Sequence, residues 1–541
     1  LLRSSVVFVH QPSSSSVGVS KGTAAIARGS TNNPSASMAN ILRTLFICLT
    51  ALCATKHYPF KPLPTGFVGT DVKTFVGLNK IMGVVVWLRK QVVSTLFREL
   101  HVIDLDNIPN DRGAVLVSWH PCGMYDQILT RTSVGFDFVE FDGFIDDDEE
   151  LELVAKEVAN GGKVMVFPEG DTHDSPKSVE VRDCASKILL RAKEIAVIEP
   201  VLVPIGIHYG KRYRFRERVA ITVERPVFIE ESIEVKDLSE LIGKEISRAA
   251  QSRSSWEDRR LIWEVRSIIH AERTRRNPEL NLRTTFDIGV LQARRVRAAW
   301  EWYSNNEPDE CMILEEKTRS HLRDVNKLGL KPRHIDARPN MVGFKGLLKS
   351  IWWTLFTWSF MLGFVTWSAL IGSIPAYLAV KSLDKFFAKT SSISEIGMKK
   401  YHLALIIYPI WWIIAAGIFT WLIIGNTSPL HVFEKYSLTL ALLFSLPAYF
   451  VYPLMLIWMP MAGKLQIKLF SRGTIAFRRL KLWMMWRNPK FDWKLIMSNQ
   501  AKIASKLVDI GDSLILPGDP EWNDPNFGLE DWNSVSKREL V

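Results

Sequence analysis

The chain has 541 residues, enough for more than one folded unit, and its 47% hydrophobic content excludes a largely disordered protein. The formal net charge of +11 favours an anionic partner, such as a phosphate-bearing substrate, coenzyme A or a lipid surface. No basic-aromatic recognition module is present, so a nucleic acid is not expected as a partner. The five cysteines show neither metal-ligand spacing nor an even disulfide framework, and we expect them to be reduced.

The N-terminal segment is predicted to lie outside the folded domain. Residues 1–37 are rich in Ser, Thr, Asn and Gly and contain no acidic residue, which is typical of an untranslated leader before Met38, a disordered segment or an organelle transit peptide. Residues 38–58 contain a short apolar run after Arg43. This run predicts a signal-like or short anchor segment, or alternatively a buried helix.

An α/β domain is predicted over residues 73–230. Residues 73–100 mix apolar and basic side chains and predict an amphipathic helix. Short β-branched runs then alternate with helix-like stretches, which predicts a mixed sheet flanked by helices. The expected strands are 114–119, 163–167, 201–207 and 218–229, and the expected helices are 148–159 and 183–195. Residues 231–345 predict a charged helical extension.

Residues 346–463 carry the long apolar segments of the chain. The stretches 351–380, 403–424 and 437–463 lack charged side chains and are long enough to cross a hydrocarbon core of about 30 Å at about 1.5 Å per residue. We therefore expect C-terminal transmembrane helices. The sequence Gly372-Ser373-Ile374-Pro375 predicts a break that turns 351–380 into a hairpin.

The distribution of basic residues predicts the orientation of these segments. Lysines are frequent in 381–402, and Lys and Arg are frequent after residue 463, whereas 425–436 holds only Lys435. Positive charge favours the cytosolic side, so the catalytic domain and the tail 464–541 are expected to face the cytosol. The localisation predicted is the endoplasmic reticulum membrane, with a plastid or other organelle membrane as the alternative.

Two short motifs, each at the end of an apolar run, carry the predicted chemistry. In the first, Ser118-Trp119-His120-Pro121-Cys122-Gly123-Met124-Tyr125-Asp126, the Pro and Gly favour a turn after a strand. His120 is then placed at the strand end and Asp126 early in the next helix. A carboxylate bonded to one imidazole nitrogen orients the ring and leaves the other nitrogen as a general base. A surface histidine near a helix-capping Asp is the alternative.

The second motif is Phe167-Pro168-Glu169-Gly170. We expect an exposed turn whose carboxylate accepts hydrogen bonds from substrate hydroxyls, with a solvated turn as the alternative. His173-Asp174 follows it and is more consistent with shaping the loop than with a second acid–base pair or a metal site. Cys122 is not expected to act as a nucleophile, since a base-activated alcohol needs no covalent enzyme intermediate.

Together these motifs resemble those of the glycerolipid acyltransferase family, with Val203-Pro204 matching a further block of that family. The spacing between His120 and Asp126 is closest to the fungal-type glycerol-3-phosphate and dihydroxyacetone-phosphate acyltransferases. The resemblance implies an acyl-CoA-dependent transfer to glycerol 3-phosphate, dihydroxyacetone phosphate or lysophosphatidate. His120 and Asp126 would be catalytic, and residues 167–170 would bind the acceptor. Acyl-CoA would be the co-substrate, with no metal or other cofactor.

One interval departs from the family pattern. Only 48 residues separate His120 from Glu169, and the Gly/Arg acceptor block expected there is replaced by an acidic stretch over residues 142–150. Within that stretch, residues 146–150 are best interpreted as the solvated acidic start of the helix 148–159. Either a segment has been lost from this interval, or phosphate is bound by other basic residues, for which the candidates are Arg131, Arg182 and Lys187. Two alternatives remain: an acyltransferase for lysophospholipids with larger head groups, and a catalytically impaired membrane-anchored lipid-binding protein. The sequence makes no prediction of oligomeric state.

Overall fold

A computed structural model describes the chain from Lys90 onward, with gaps. The described residues are 90, 93–94, 96–134, 139–141, 148–170, 173–210, 212, 217–230, 232–277, 279–280, 284–336, 344–361, 364–387, 393–424, 446–486, 492–522 and 535–538. The predictions for 1–37, 38–58, most of 73–96, and the first part of 437–463 lie outside them.

Within these ranges one six-stranded mixed sheet forms the centre of the α/β domain. Its strands are β1 (Phe97–Ile103), β2 (Ala114–Ser118), β3 (Val139–Phe141), β4 (Lys163–Val166), β5 (Val201–Tyr209) and β6 (Glu217–Val223). Their order across the sheet is β1-β6-β5-β2-β4-β3. Neighbours pair in parallel except β5 and β6, which are antiparallel. The mixed sheet expected from the sequence is thus present.

Two apolar cores cover the faces of this sheet, because alternate side chains of a strand point to opposite sides. On one face, Val115 and Val117 pack against α2 (Asp148–Ala159), α3 (Cys184–Ile195) and α4 (Val235–Ala249). On the other face, Ala114 and Leu116 pack with residues of α1 (Met124–Ser133) and β6. The central strands are buried on both sides, which explains their continuous apolar sequences.

The prediction of a helix over 73–100 is wrong at its C-terminal end, where β1 begins at Phe97. Among the described strands, β1 lies at the edge of the sheet and pairs only with β6. An edge strand keeps polar side chains, and the charged residues Arg98 and Glu99 made the sequence of β1 look like part of an amphipathic helix. Other bounds differ by little, apart from β6, which ends at Val223 rather than at residue 229. β3 was not predicted.

A helical extension follows the sheet. It consists of α5 (Trp256–Arg276), α6 (Phe286–Asn306), α7 (Pro308–Lys327) and the short α8 (Pro332–Asp336). Among the described residues four further helices come next: α9 (Phe344–Met361), α10 (Phe364–Phe387), α11 (Ile393–Ile424) and α12 (Ala448–Trp486). The chain then returns to the extension through α13 (Trp493–Asp512) and the two-stranded β7–β8 pair, Leu514–Ile515 with Ser536–Lys537.

In the described part of the chain, one helix is both long and apolar enough to cross a membrane, namely Ala448–Met485 within α12. A shorter apolar helix covers Ile406–Leu422 in α11. The break predicted at Gly372–Pro375 is wrong, because α10 runs through it with Pro375 inside the helix. The glycine serves close packing instead: a Cβ on Gly372 would lie 2.6 Å from Met459 Sδ of α12.

Candidate active site

A tight turn after β2 brings the first motif together. The turn has Gly123 at φ +59°, a conformation that favours glycine, and α1 begins at the next residue. Asp126 therefore lies in the first turn of α1, as the sequence predicts. The partial positive charge at this helix end favours an anionic carboxylate there.

His120 and Asp126 form a buried pair. Asp126 Oδ2 lies 3.2 Å from His120 Nδ1, and the side chains are 0% and 7% exposed. The same Oδ2 accepts a 2.8 Å hydrogen bond from the Cys122 backbone N–H, while Oδ1 accepts a 2.5 Å bond from the Tyr209 hydroxyl. Asp126 is therefore fixed from three directions. With Nδ1 facing the carboxylate, Nε2 is on the side of the ring away from Asp126, where a general base would meet a hydroxyl.

Glu169 comes from the end of β4 and is tied to the first motif. Because β2 and β4 pair in parallel, the two motifs that follow them lie at the same, carboxyl-terminal end of the strands. Glu169 Oε2 accepts a 2.8 Å bond from the His120 backbone N–H and lies 3.0 Å from His173 Nε2. Oε1 accepts bonds from Ser178 Oγ at 2.8 Å and from the Val179 N–H at 3.1 Å.

The expectation that the second motif is an exposed turn is therefore wrong. Glu169 is 4% exposed, and Phe167 is fully buried with its ring centroid 4.5 Å from that of His120. Burial alone would raise the pKa of Glu169, but hydrogen bonds from His173, from the His120 N–H and from Ser178 outweigh it and lower that pKa. The anionic carboxylate of Glu169 therefore positions the backbone of His120 by accepting the hydrogen bond from its N–H.

The geometry around His173 is that of a loop-forming residue. Its Nδ1 accepts a 3.2 Å bond from the Ser175 N–H, and its Nε2 lies 3.0 Å from Glu169 Oε2. Pro168 belongs to the same loop anchor, since its carbonyl accepts a 2.9 Å bond from the Arg182 N–H. No cluster of three or more metal-binding side chains occurs among the residues described.

The three basic candidates fall in different places. The guanidinium of Arg182 packs over Gly170, where an added Cβ would lie 2.7 Å from Cζ. Lys187 is half exposed on α3 and pairs with Asp183 at 2.7 Å. Arg131 lies in the last turn of α1, away from the end that carries Asp126. The structure thus brings only Arg182 to the second motif, and the roles of all three stay predictions.

Burial makes Cys122 a poor nucleophile. It raises the pKa of the Cys122 thiol well above its ordinary value, with Asp126 adding to the effect, so the reactive thiolate is disfavoured.

Part of the acidic stretch lies within the described residues: Asp148, Glu149 and Glu150 form the first turn of α2, as the sequence predicts. Residues 142–147 lie outside the described part of the chain.

Sequence reasoning missed the residues that reach the site from distant positions. Tyr209 ends β5 and bonds Asp126, and only its place a few residues after Val203-Pro204 could have marked it. Arg212 follows β5 and lies 3.8 Å from Asp174 Oδ1. Arg259, on α5, stacks on Trp119 with a guanidinium-to-ring distance of 4.9 Å, and no motif marks it.

No protein-family model matches the chain. The glycerol-3-phosphate O-acyltransferase 2 of Saccharomyces cerevisiae is 26% identical over 128 residues, which cover 23% of this chain and 17% of that protein. The chain thus matches less than a fifth of the yeast protein's length. Among solved structures, the 1-acyl-sn-glycerophosphate (LPA) acyltransferase PlsC from Thermotoga maritima is similar over 40% of this chain and 97% of its own, with 18% identity and a TM-score of 0.27.

The two motifs that resemble those of the family follow neighbouring parallel strands and lie at the same end of them. The yeast protein that is similar to this chain is named as an acyltransferase. The resemblance to the glycerolipid acyltransferase family that the sequence predicts is confirmed as a similarity over these 128 residues, and the assignment to the fungal-type branch stays a prediction.

Proposed function

We propose that the protein transfers a fatty acyl group from acyl-CoA to a hydroxyl of a phosphorylated glycerol, such as glycerol 3-phosphate, dihydroxyacetone phosphate or lysophosphatidate. The single observation that carries this proposal is the buried His120–Asp126 pair, with Nδ1 and Oδ2 3.2 Å apart and the His120 backbone held by Glu169. The name of the yeast relative favours glycerol 3-phosphate as the acceptor.

In the proposed reaction His120 Nε2 removes the proton from the acceptor hydroxyl. The oxygen attacks the thioester carbonyl carbon, the carbon–sulfur bond breaks, and the imidazolium returns the proton to the departing CoA thiolate. Asp126 stabilises the imidazolium while it exists. Glu169 acts through the backbone of His120, because its two oxygens already accept three hydrogen bonds from protein groups and lie against His173 Nε2 at 3.0 Å. The transfer needs no metal, since His120 supplies the base.

Membrane association is part of the proposal. The span Ala448–Met485 and the apolar α9, α10 and α11 favour an integral membrane protein with its catalytic domain on the cytosolic side of the endoplasmic reticulum. Acyl chains would then enter from the bilayer. Single cysteines introduced at residues 345 and 385 should be labelled from the same side if the catalytic domain and the basic segment after residue 380 both face the cytosol. Labelling from opposite sides would instead establish a single crossing.

The central test uses radiolabelled acyl-CoA with the full-length protein in detergent or vesicles. Wild type should acylate at least one of the three acceptors, and His120→Ala should reduce the rate to background while staying in the membrane fraction. His101→Ala is the matched control, because His101 also lies beside a carboxylate, 3.2 Å from Glu99, but on the edge strand β1. Retained transfer in H120A would refute the assignment. Acylation confined to lysophospholipids with larger head groups, or no acylation at all, would favour one of the two alternative functions.

A further inference from the structure

A cluster of arginine and tryptophan side chains lies between the catalytic strand end and the helical extension. The guanidinium carbon of Arg212 lies 3.9 Å from the ring centroid of Trp256, and that of Arg259 lies 5.2 Å from the same centroid. Arg259 also stacks on Trp119, which directly precedes His120. One arginine follows β5 and the other is on α5, so this cluster joins the sheet to the extension.

The cluster concentrates positive charge in a partly buried place. Within the described part of the chain, Arg259 donates to the carbonyls of Pro176 and Ala250, at 3.1 and 3.0 Å, and pairs with no carboxylate. Its burial, together with the positive charges of Arg212 and Arg297, lowers the pKa of Arg259 to about 9. Placing several guanidinium charges close together in a partly buried site is energetically unfavourable, and a bound anion would offset that cost.

The backbone of Arg212 lies beside the candidate catalytic groups. The Arg212 backbone carbonyl is 4.0 Å from Cys122 Sγ, and the Cys122 N–H bonds the carboxylate partner of His120. The Arg212 side chain is 11% exposed and lies 3.8 Å from Asp174, in the loop that Glu169 anchors. The cluster therefore borders the same edge of the sheet as the His120–Asp126 pair.

We propose that Arg212 and Arg259 bind a phosphate group of a substrate next to His120, so that the helical extension completes the active site. A guanidinium presents several donors in a plane that matches phosphate oxygens, and stacking on a tryptophan fixes its orientation. These arginines supply positive charge that the acidic stretch over residues 142–150 does not. This inference rests on the proposed function, since it names how that same site holds its substrate.

The phosphate has two sources, the acceptor and coenzyme A. The shared chemistry is a phosphate ester, and the binding experiment separates the sources. Thermal unfolding of the purified full-length protein is followed in detergent against increasing glycerol 3-phosphate, or against coenzyme A without an acyl group. We expect stabilisation of wild type, and at least a tenfold higher half-saturating concentration of one of the two compounds in Arg212→Gln and Arg259→Gln.

Arg260→Gln is the matched control. It removes the same charge from the same helix, but Arg260 is 65% exposed and faces Glu257 at 3.8 Å. Its half-saturating concentrations should equal those of wild type. Because Arg259 also holds two backbone carbonyls, Arg259→Gln is accompanied by Arg259→Lys. The lysine variant should recover part of the lost affinity, which a purely structural role of Arg259 does not predict.

Kinetics provide the second arm. The KM for the phosphorylated substrate identified above should rise at least tenfold in Arg212→Gln and Arg259→Gln, while kcat changes less than threefold. An unchanged affinity and KM in both variants would overturn the inference and leave the proposed acyl transfer standing. If wild type transfers no acyl group but binds glycerol 3-phosphate through these arginines, the proposed function fails and the phosphate site stands. Wild type that binds neither compound would also overturn the site.

Discussion

Replacing Asp126 with asparagine removes one charge from the site and leaves its shape nearly unchanged. Oδ2 accepts the Cys122 N–H at 2.8 Å, so we expect the amide oxygen of the variant to keep that position near His120. The amide nitrogen then takes the place of Oδ1, and the Tyr209 hydroxyl, 2.5 Å away, can rotate to accept from it. The variant therefore isolates the effect of the negative charge on the imidazole.

The structure sets the size of the expected effect. Two unit charges 3.2 Å apart interact by about 5 kcal/mol at an effective dielectric constant of about 20. Since the charge of an imidazolium is spread over the ring, we expect a loss of about 3 to 4 kcal/mol of transition-state stabilisation. At about 1.4 kcal/mol per factor of ten, kcat/KM should fall roughly 100- to 1,000-fold.

The assay is acyl transfer by purified Asp126→Asn, with thermal unfolding as a check that the fold is intact. Tyr209→Phe is the companion variant, because it removes one hydrogen bond of about 1.5 to 3 kcal/mol to the carboxylate but leaves the charge. Its kcat/KM should fall less than that of D126N. A well-folded D126N with a loss below about threefold, far smaller than the Coulomb argument requires, would refute the role of the carboxylate charge.

The remaining predictions concern the second motif. The pKa of Glu169 lies below its ordinary value of 4.5, so its carboxylate stabilises the fold above about pH 4.5 and that contribution is lost as pH falls through the lowered pKa. The melting temperature of Glu169→Gln should therefore change less than that of wild type between about pH 5 and 3, and equal slopes would contradict the network. Gly170→Ala should lose about 1 to 2 kcal/mol at φ +78° and lose activity, because the new Cβ would displace the Arg182 guanidinium. Gly161→Ala, at φ +93° with open space around it, should share the strain and retain activity, and equal activity of the two variants would contradict the importance of Arg182 placement.

Local patterns in the sequence were sufficient for several elements. The bounds of β2, β4 and β5 and of the helices α2 and α3 were predicted within about two residues. Buried parallel strands require continuous apolar, β-branched runs, and helices require apolar residues that recur with the helical period of about 3.6 residues. β1 escaped prediction since an edge strand pairs on one side only and keeps charged side chains. The break expected at Gly372–Pro375 failed because helix packing, rather than a turn, uses that glycine.

The amino-acid sequence by itself determined which two side chains form the candidate catalytic pair. His120 and Asp126 are close in the chain, and the Pro and Gly between them fix the turn that brings them together. Only the tertiary structure decided what surrounds them. Glu169 meets the His120 N–H across 49 positions, and Tyr209 meets Asp126 across 83, because the strand order β5-β2-β4 places three strand ends side by side. Strand order arises from burial of both faces of the sheet, so no local pattern encodes it.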